Sequence, residues 1–270
     1  MTRLATFNIL HGRSPADGSV STSRLVEACA SLDADLLCLQ EVDRNQPRSG
    51  SVDQTAAVAE AMGAAAWRFE PALIGEPGAT WKAATDDAAT ADSEEPAYGI
   101  GLVSRLPVAA WHVIRLPAAP VRSPVAVPGA GWRATRFILL PDEPRVAMAA
   151  ELAAGVRGPN ATSDLVVATT HLSFVPGYNL LQVRRLTARL ARLAAGRPTI
   201  LLGDLNVPGP FPGWASGWRA LTAAKTFPAD RPTFQVDHVL GHGPVPAVAG
   251  AEARRLPLSD HRALVVDLAG

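Results

Sequence analysis

Short apolar segments with the composition of β-strands recur along the whole chain, and this recurrence limits the possible folds more than any other feature. Segments with helical periodicity lie between them at residues 23–32, 53–62 and 180–195. Strands interspersed with a few helices predict an α/β fold, most simply two packed sheets flanked by helices. The predicted strands span residues 4–10, 35–40, 99–104, 108–114, 134–140, 146–152, 165–171, 199–203, 236–240 and 263–268.

Two segments fit neither periodicity and are predicted to be flexible insertions. Residues 76–96 are rich in alanine, threonine and acidic residues, and residues 116–132 carry four prolines. A chain of 270 residues can form one large domain or two ordinary ones. Strand-like segments of the same kind continue on both sides of each insertion, so we expect a single domain over residues 1–270.

The charge balance argues against one class of partner. With 25 basic and 25 acidic residues, the formal net charge is +0, whereas a dedicated non-specific DNA-binding protein is strongly basic. The predicted helix at 180–195 has an arginine-rich face without interleaved aromatic residues, and we interpret this face as solvated.

Cysteine usage and hydropathy indicate the compartment. Cys29 and Cys38 lie in apolar segments without metal-ligand spacing, which predicts buried, reduced thiols and a cytoplasmic protein. No apolar segment approaches the roughly 20 residues that a membrane helix needs. We therefore expect no membrane insertion, and no obligatory protein partner is evident.

Polar residues at the boundaries of the apolar segments carry the candidate chemistry. Carboxylate and amide oxygens are ligands for hard divalent cations, and imidazoles transfer protons or donate hydrogen bonds to phosphate. Residues at strand boundaries can converge at one edge of a sheet. The pattern therefore predicts a metal-dependent phosphoesterase built from Asn8, Glu41, His171, Asp204, Asn206, Asp237, Asp260 and His261.

Several of these residues also have a structural interpretation. Asp204 and Asn206 follow a buried strand, where such residues often bond to the backbone of a turn. Glu41 can be a solvated residue at a strand end, and Asn8 can be a metal ligand or a hydrogen-bond donor nearby. Adjacent side chains on a strand point to opposite faces, so Asp237 is assigned to the site and His238 to packing or the surface.

Seven short motifs resemble those of a known family and follow one another in the same order. Together they indicate a member of the endonuclease/exonuclease/phosphatase family, which includes DNase I-like nucleases, apurinic endonucleases, sphingomyelinases and inositol polyphosphate 5-phosphatases. The resemblance implies a four-layered α/β sandwich with two packed mixed sheets and a site at one edge. The motifs are TFNILHG, DLLCLQEVD, YGIGLVSRLPV, TTHLS, LLGDLNVP, VDHVL and LSDHRAL.

The resemblance also implies roles. Glu41 is the expected principal ligand of Mg²⁺ or Mn²⁺, assisted directly or through water by Asn8 and Asp260. Asp204 is expected to position or deprotonate the attacking water, and Asn206 to hold this water or the phosphate. His261, oriented by Asp237, is expected to contact the phosphate and to act as acid or base, and His171 to donate to a non-bridging oxygen.

The substrate is less constrained than the chemistry. Nucleases, phosphatases and lipid phosphodiesterases share this chemistry, so the site alone does not separate them. A phosphodiesterase or nuclease is the first hypothesis. A phosphatase for a small phosphorylated molecule such as an inositol phosphate follows, and then a binding module without turnover. Arg44 and Arg48 are candidate substrate contacts. The aromatic residues that either stack on a base or, as we favour, cover the core are Phe211, Trp214 and Trp218.

Overall fold

The structure is a computed structural model that describes residues 1–85, 93–128, 135–153 and 165–270. Four helices alternate with strands in this part of the chain, namely α1 (Thr22–Ala30), α2 (Gln54–Met62), α3 (Tyr178–Ala194) and α4 (Phe211–Ser216). The strands are β1 (Thr2–Asn8), β2 (Leu36–Arg44), β3 (Ala66–Gly75), β4 (Trp81–Ala83), β5 (Ala97–Ser104), β6 (Val108–Leu116), β7 (Arg122–Pro128), β8 (Thr135–Pro141), β9 (Arg145–Leu152), β10 (Val166–His171), β11 (Thr199–Asp204), β12 (Arg219–Ala220), β13 (Asp237–His242), β14 (Val248–Arg254) and β15 (Ala263–Leu268).

Two mixed sheets form the centre of the molecule. The first has seven strands in the order β14-β15-β1-β2-β5-β3-β4, and the second has six in the order β12-β13-β11-β10-β9-β6. Within them, β1 and β2 are parallel, as are β10 and β11, while their outer neighbours β15, β5, β9 and β13 run antiparallel. Strands β7 and β8 form a separate hairpin.

Apolar side chains separate the molecule into four layers. Leu4 and Leu102 of the first sheet pack against Met148 and Ile200 of the second, which forms the central core. The other face of the first sheet packs against α1 and α2, and the other face of the second packs against α3. This order of helices, sheet, sheet and helices is the predicted α/β sandwich.

Local sequence explains where the helices begin and which face they bury. The side chain of Ser21 accepts a hydrogen bond from the backbone N–H of Arg24 and so caps α1. Asp53 caps α2 in the same way through Ala56. The arginine face of α3 is exposed, as the sequence predicts, and Leu186 and Leu190 are buried, whereas Leu181 of the predicted apolar face is 38% exposed. None of the helices in the described ranges is long and apolar enough to cross a membrane.

The predicted insertions contain strands that the sequence did not reveal. Strand β7 lies within 116–132, and its prolines fit because, among the described residues, this two-stranded hairpin leaves one edge of each strand without partners. Strand β4 lies within 76–96 and pairs with β3. Residues 86–92 and 129–132 of these two predicted insertions lie outside the described residues.

An ion pair on the second sheet gives a prediction for acid stability. Arg197 donates two hydrogen bonds to Glu151, at 2.6 and 2.8 Å, and these bonds lower the pKa of Glu151 from 4.5 to about 2. A depressed carboxyl pKa stabilises the fold above the unfolded pKa of 4.5, and this stability is lost as the pH falls towards 2. Because the Glu151 side chain is 20% exposed, we expect a contribution of about 1 kcal/mol.

Glu151→Gln should therefore lower Tm at pH 7 by about 2–4 °C. The difference in Tm between Glu151→Gln and the wild type should become smaller as the pH falls below 4.5. Thermal unfolding followed by circular dichroism checks this, with Glu27→Gln on the exposed face of α1 as the matched control. Equal Tm values for Glu151→Gln and the wild type at pH 7 would contradict the assignment.

Candidate active site

Polar side chains converge where the strand ends of both sheets meet at one edge of the sandwich. Asn8 ends β1, and His171 and Asp204 end the parallel strands β10 and β11. His171 and Asp204 are neighbours in register, and Asp237, the first residue of β13, pairs with Asp204 on the other side. Parallel strands present their carboxyl ends at one edge, so the fold itself brings these residues together.

A glycine immediately before Asp204 permits the close approach of β10 and β11. Gly203 has φ +150°, and a Cβ atom there would lie 2.1 Å from the carbonyl oxygen of Thr170. No side chain fits this space. The Gly-Asp sequence therefore allows β11 to carry Asp204 to the sheet edge beside His171.

Glu41 reaches the site through a β-bulge. The sequence predicts a strand that ends at residue 40, but β2 continues to Arg44 with a register shift between Gln40 and Val42. Glu41 lies in this bulge with a left-handed φ of +56°, a conformation that costs free energy for a residue other than glycine. The bulge breaks the alternation of the strand and turns the Glu41 carboxylate towards the cavity.

Asn8 connects two of the carboxylates. Its Nδ2 donates to Oε1 of Glu41 and to Oδ2 of Asp204, both at 3.0 Å. Its Oδ1 accepts from the backbone N–H of Leu10 at 3.1 Å. This amide orientation favours the second of the two predicted roles, in which Asn8 positions the carboxylates by hydrogen bonds.

Asp204 lies at the centre of the site and is almost completely buried. Its Oδ2 is 3.6 Å from Nε2 of His171 and 3.8 Å from Nε2 of His261. Burial, reinforced by the charge of Asp237, raises the pKa of Asp204 from 3.8 to about 7. A carboxyl with a pKa close to neutral pH is suited to accepting a proton from water.

His261 is held in position by Asp237 and Ser259. Nδ1 of His261 donates to Oδ2 of Asp237 at 2.9 Å, and the backbone N–H of His261 donates to Oγ of Ser259 at 3.0 Å. Ser259 in turn donates to the carbonyl oxygen of Asn8 at 2.6 Å. Burial lowers the pKa of His261, but the carboxylates of Asp237 and Asp204 outweigh it and raise this pKa to about 10. His261 is therefore protonated at neutral pH.

His171 has the opposite protonation preference. Burial and the charge of Arg145 lower the pKa of His171 well below its usual value, so its ring is neutral at pH 7. Nδ2 of Asn206 donates to Nε2 of His171 at 3.1 Å and to the carbonyl oxygen of Leu172 at 2.9 Å. Nε2 of His171 is therefore the ring nitrogen that faces Asn206 and Asp204.

The oxygen donors of the cavity fit a divalent cation. Glu41, Asp204 and Asp260 place three carboxylates on one cavity, and burial raises the pKa of Glu41, a cost that a bound cation offsets. Asp204, Asp237 and His261 also have ligand atoms within 4.8 Å of one another. In that group, however, Asp237 already accepts from His261, whereas the oxygens of Glu41 and Asp260 remain available to a divalent cation.

The site opens into a cavity of about 510 Å³. Its floor carries the predicted residues Glu41, His171, Asp204, Asn206, Asp260 and His261. Asn8 and Asp237 lie behind this floor and act through their hydrogen bonds. The remaining walls, which strand-end reasoning did not identify, include Trp81, Tyr98, Glu143, Arg145 and Phe174.

The predicted arginine contacts lie outside the residues that line this cavity. Arg44 is 4% exposed, and its guanidinium lies 4.9 Å from the ring centroid of Phe69. Arg48 forms two hydrogen bonds with Asp43, at 2.7 and 2.8 Å, and lies 5.6 Å from the ring of Tyr98. Tyr98 lines the cavity and separates Arg48 from it. Arg44 instead packs on Phe69 of β3 in the first sheet.

The three aromatic residues expected to cover the core, Phe211, Trp214 and Trp218, differ in burial. Trp218 is 5% exposed and stacks on His242, as expected for a residue that covers the core. The same expectation was wrong for Phe211 and Trp214, which are 47% and 73% exposed, because the short helix α4 places them at the surface. His238 is buried and donates to the carbonyl oxygen of Val207, which is a packing role.

Comparison with known proteins assigns the chain to a family. A model of the Endonuclease/Exonuclease/phosphatase family matches residues 5–261. The chain belongs to this family. No curated protein matches the sequence. Members of the endonuclease/exonuclease/phosphatase family are hydrolases that act on phosphoester bonds, generally with divalent metals, and the oxygen-rich cavity described above is consistent with that chemistry.

Solved structures show the same fold at low sequence identity. An endonuclease/exonuclease/phosphatase from Beutenbergia cavernae is 21% identical with a TM-score of 0.63, over 100% of this chain and 72% of that one. The human nocturnin catalytic domain is 19% identical with a TM-score of 0.57, over 99% and 94% of the two chains. Sphingomyelinase C from Streptomyces griseocarneus is 15% identical with a TM-score of 0.59, over 99% of each. The predicted DNase I-like sandwich is confirmed.

Proposed function

We propose that this protein is a divalent-metal-dependent phosphodiesterase or nuclease of a single domain that hydrolyses its substrate by attack of water on phosphorus. One observation carries the proposal: the buried carboxylate of Asp204 is surrounded by Asn8, His171 and His261, next to Glu41 on a common cavity. A proton acceptor, two imidazoles and a cation-binding carboxylate in one place are what phosphoester hydrolysis requires.

The protonation states assign the proton transfers. Asp204, with its raised pKa, accepts the proton of the attacking water through Oδ2. His261 is protonated and held by Asp237, so its Nε2–H donates to the phosphate or protonates the leaving oxygen. His171 lines the cavity as a neutral imidazole and is the second ring available to donate to a non-bridging oxygen. Glu41 and Asp260, with Asn8 behind them, would hold the cation, which would supply Lewis-acid stabilisation of the developing negative charge.

The dimensions of the cavity support a second candidate function. A volume of about 510 Å³ lies in the range of small-molecule sites. A phosphatase for a small phosphorylated molecule, such as an inositol phosphate, is therefore the alternative. The structural similarity to nocturnin and to a sphingomyelinase C is compatible with either, because one fold serves several phosphoester substrates.

We propose Mg²⁺ or Mn²⁺ as the cofactor, because the available ligands are oxygens. The buried free thiols of Cys29 and Cys38 support a cytoplasmic location. No obligatory protein partner is part of the proposal.

A hydrolysis panel with Mg²⁺ and with Mn²⁺ tests the function. The substrates are bis(4-nitrophenyl) phosphate, plasmid, single-stranded and abasic DNA, RNA, inositol phosphates and sphingomyelin. We expect at least one diester to be cleaved by the wild type, and not by Asp204→Ala or with a chelator present. Cleavage that persists in Asp204→Ala would overturn the mechanism, and retention of a panel compound without any cleavage would favour a binding module.

A further inference from the structure

Arg145 is a buried cation at the catalytic end of the cavity. It is the first residue of β9, and β9 runs antiparallel to β10 with Ala147 opposite Thr170. The beginning of β9 therefore lies beside the end of β10, where His171 is located. Arg145 is 6% exposed and lines the cavity together with His171 and Glu41.

The protein itself satisfies only part of the Arg145 side chain. Nη2 lies 3.5 Å from Oδ1 of Asp142, and the guanidinium carbon lies 5.9 Å from the ring centroid of Phe174. Within the described part of the chain, Nε of Arg145 is buried without a hydrogen-bond partner. The Asp142 carboxylate is also engaged elsewhere, because its Oδ2 accepts from the backbone N–H of Ala119 at 2.7 Å. A buried guanidinium with an unsatisfied edge is costly unless an anion completes its hydrogen bonds.

The charge of Arg145 acts on the catalytic end of the cavity. After burial, it is the largest influence that lowers the pKa of His171. Glu143, two residues away, lines the same cavity; burial raises the pKa of Glu143, and the charge of Arg145 opposes this. The Arg145 guanidinium and the His171 ring border the same cavity, at the end where β9 begins and β10 ends.

We propose that Arg145 binds the substrate phosphate, with its guanidinium donating to non-bridging oxygens in the cavity that it lines with His171. This inference rests on the proposed function and adds a substrate-binding residue to it. The planar guanidinium matches two phosphate oxygens at once, which a lysine ammonium does not. Phe174 packs near the guanidinium and limits its movement, so Arg145 is prepared for the anion before the substrate arrives.

Inorganic phosphate is a suitable probe, because its binding requires no turnover. Titration calorimetry with Mg²⁺ present should show that Arg145→Met weakens phosphate binding by about 10- to 100-fold. Arg145→Lys should recover only part of this loss. Arg189→Met, on the exposed face of α3, is the matched control and should bind phosphate as the wild type does.

A second variant separates binding from a structural ion pair. Asp142→Asn removes the partner charge but leaves Nε of Arg145 in place, so it should retain phosphate affinity within a few-fold. Melting curves of all variants report folding. Unchanged phosphate affinity in Arg145→Met, an equal loss in Asp142→Asn, or no detectable phosphate binding by the wild type would each overturn the inference.

The two proposals fail in different ways. If the wild type hydrolyses a diester but Arg145→Met keeps its phosphate affinity and its KM, the role of Arg145 is wrong and the proposed function stands. If the wild type binds phosphate through Arg145 but cleaves no member of the panel, the proposed function is wrong and the phosphate site stands.

Discussion

Asp204→Asn is expected to lower kcat by about 10²- to 10⁴-fold, the usual contribution of a general base. Asparagine preserves the shape of the side chain and can still accept from Asn8, but it cannot take a proton from water. Since the loss falls on the chemical step, KM should change much less than kcat. Initial rates at several concentrations of bis(4-nitrophenyl) phosphate give both parameters.

The same substitution should stabilise the metal-free protein. In the folded state the pKa of Asp204 is raised from 3.8 to about 7, so the folded state holds this proton more tightly than the unfolded state does. Stability is therefore lost as the pH rises through this window. Asp204→Asn lacks this loss, and its Tm should exceed that of the wild type by a margin that widens from pH 4 to pH 8.

Thermal unfolding in the presence of a chelator measures that margin. Glu27→Gln serves as the control for removing a carboxylate from an exposed position. A lower Tm for Asp204→Asn at pH 8, together with unchanged kcat, would mean that Asp204 is a structural residue. This combination would remove the centre of the proposed site.

Glu41→Gln has the second large expected effect, a loss of divalent-metal affinity. An outer hydrogen-bonding partner of a metal ligand typically contributes about 10- to 100-fold in affinity, and loss of a direct carboxylate ligand should exceed this. The substitution retains the hydrogen bond with Asn8, so the bulge in β2 should persist. Calorimetric titration with Mn²⁺ measures the dissociation constant.

Unchanged metal affinity in Glu41→Gln would contradict the role of Glu41 as a metal ligand. Wild-type and Glu41→Gln proteins with the same Mn²⁺ affinity would place the metal elsewhere. The group formed by Asp204, Asp237 and His261 would then be the alternative centre. Activity that is restored in Glu41→Gln by raising the Mn²⁺ concentration would support the assignment, because the other catalytic groups remain in place.

The sequence could predict the site residues that lie at the ends of strands. A buried apolar strand followed by a polar residue marks Asn8, His171 and Asp204, and the parallel strands bring such ends to one edge. The sequence does not show the bulge at Glu41, because bulges depend on pairing with a partner strand. Arg145 was missed because it begins a strand, and only the antiparallel pairing of β9 with β10 brings it to the site.

The fold was predictable where the strands are apolar. Strand β3 was missed because its charges and proline hide a buried segment: Glu70 is fully buried and is compensated by Arg68 and Arg115. Pro71 lies at a register shift in the same strand, where a missing N–H is tolerated. Strand β14 was missed for a different reason, since it is an edge strand with few apolar residues.

Hydrolysis of a phosphodiester in ¹⁸O-labelled water, followed by ³¹P NMR with Mg²⁺ present, tests the central claim most directly. If water activated by Asp204 attacks phosphorus, the phosphoryl product carries one ¹⁸O label and shows the corresponding isotope shift. The signal should be lost with Asp204→Asn or with a chelator. A phosphoryl product without the label, or a labelled product formed at the same rate by Asp204→Asn, would contradict the proposed mechanism.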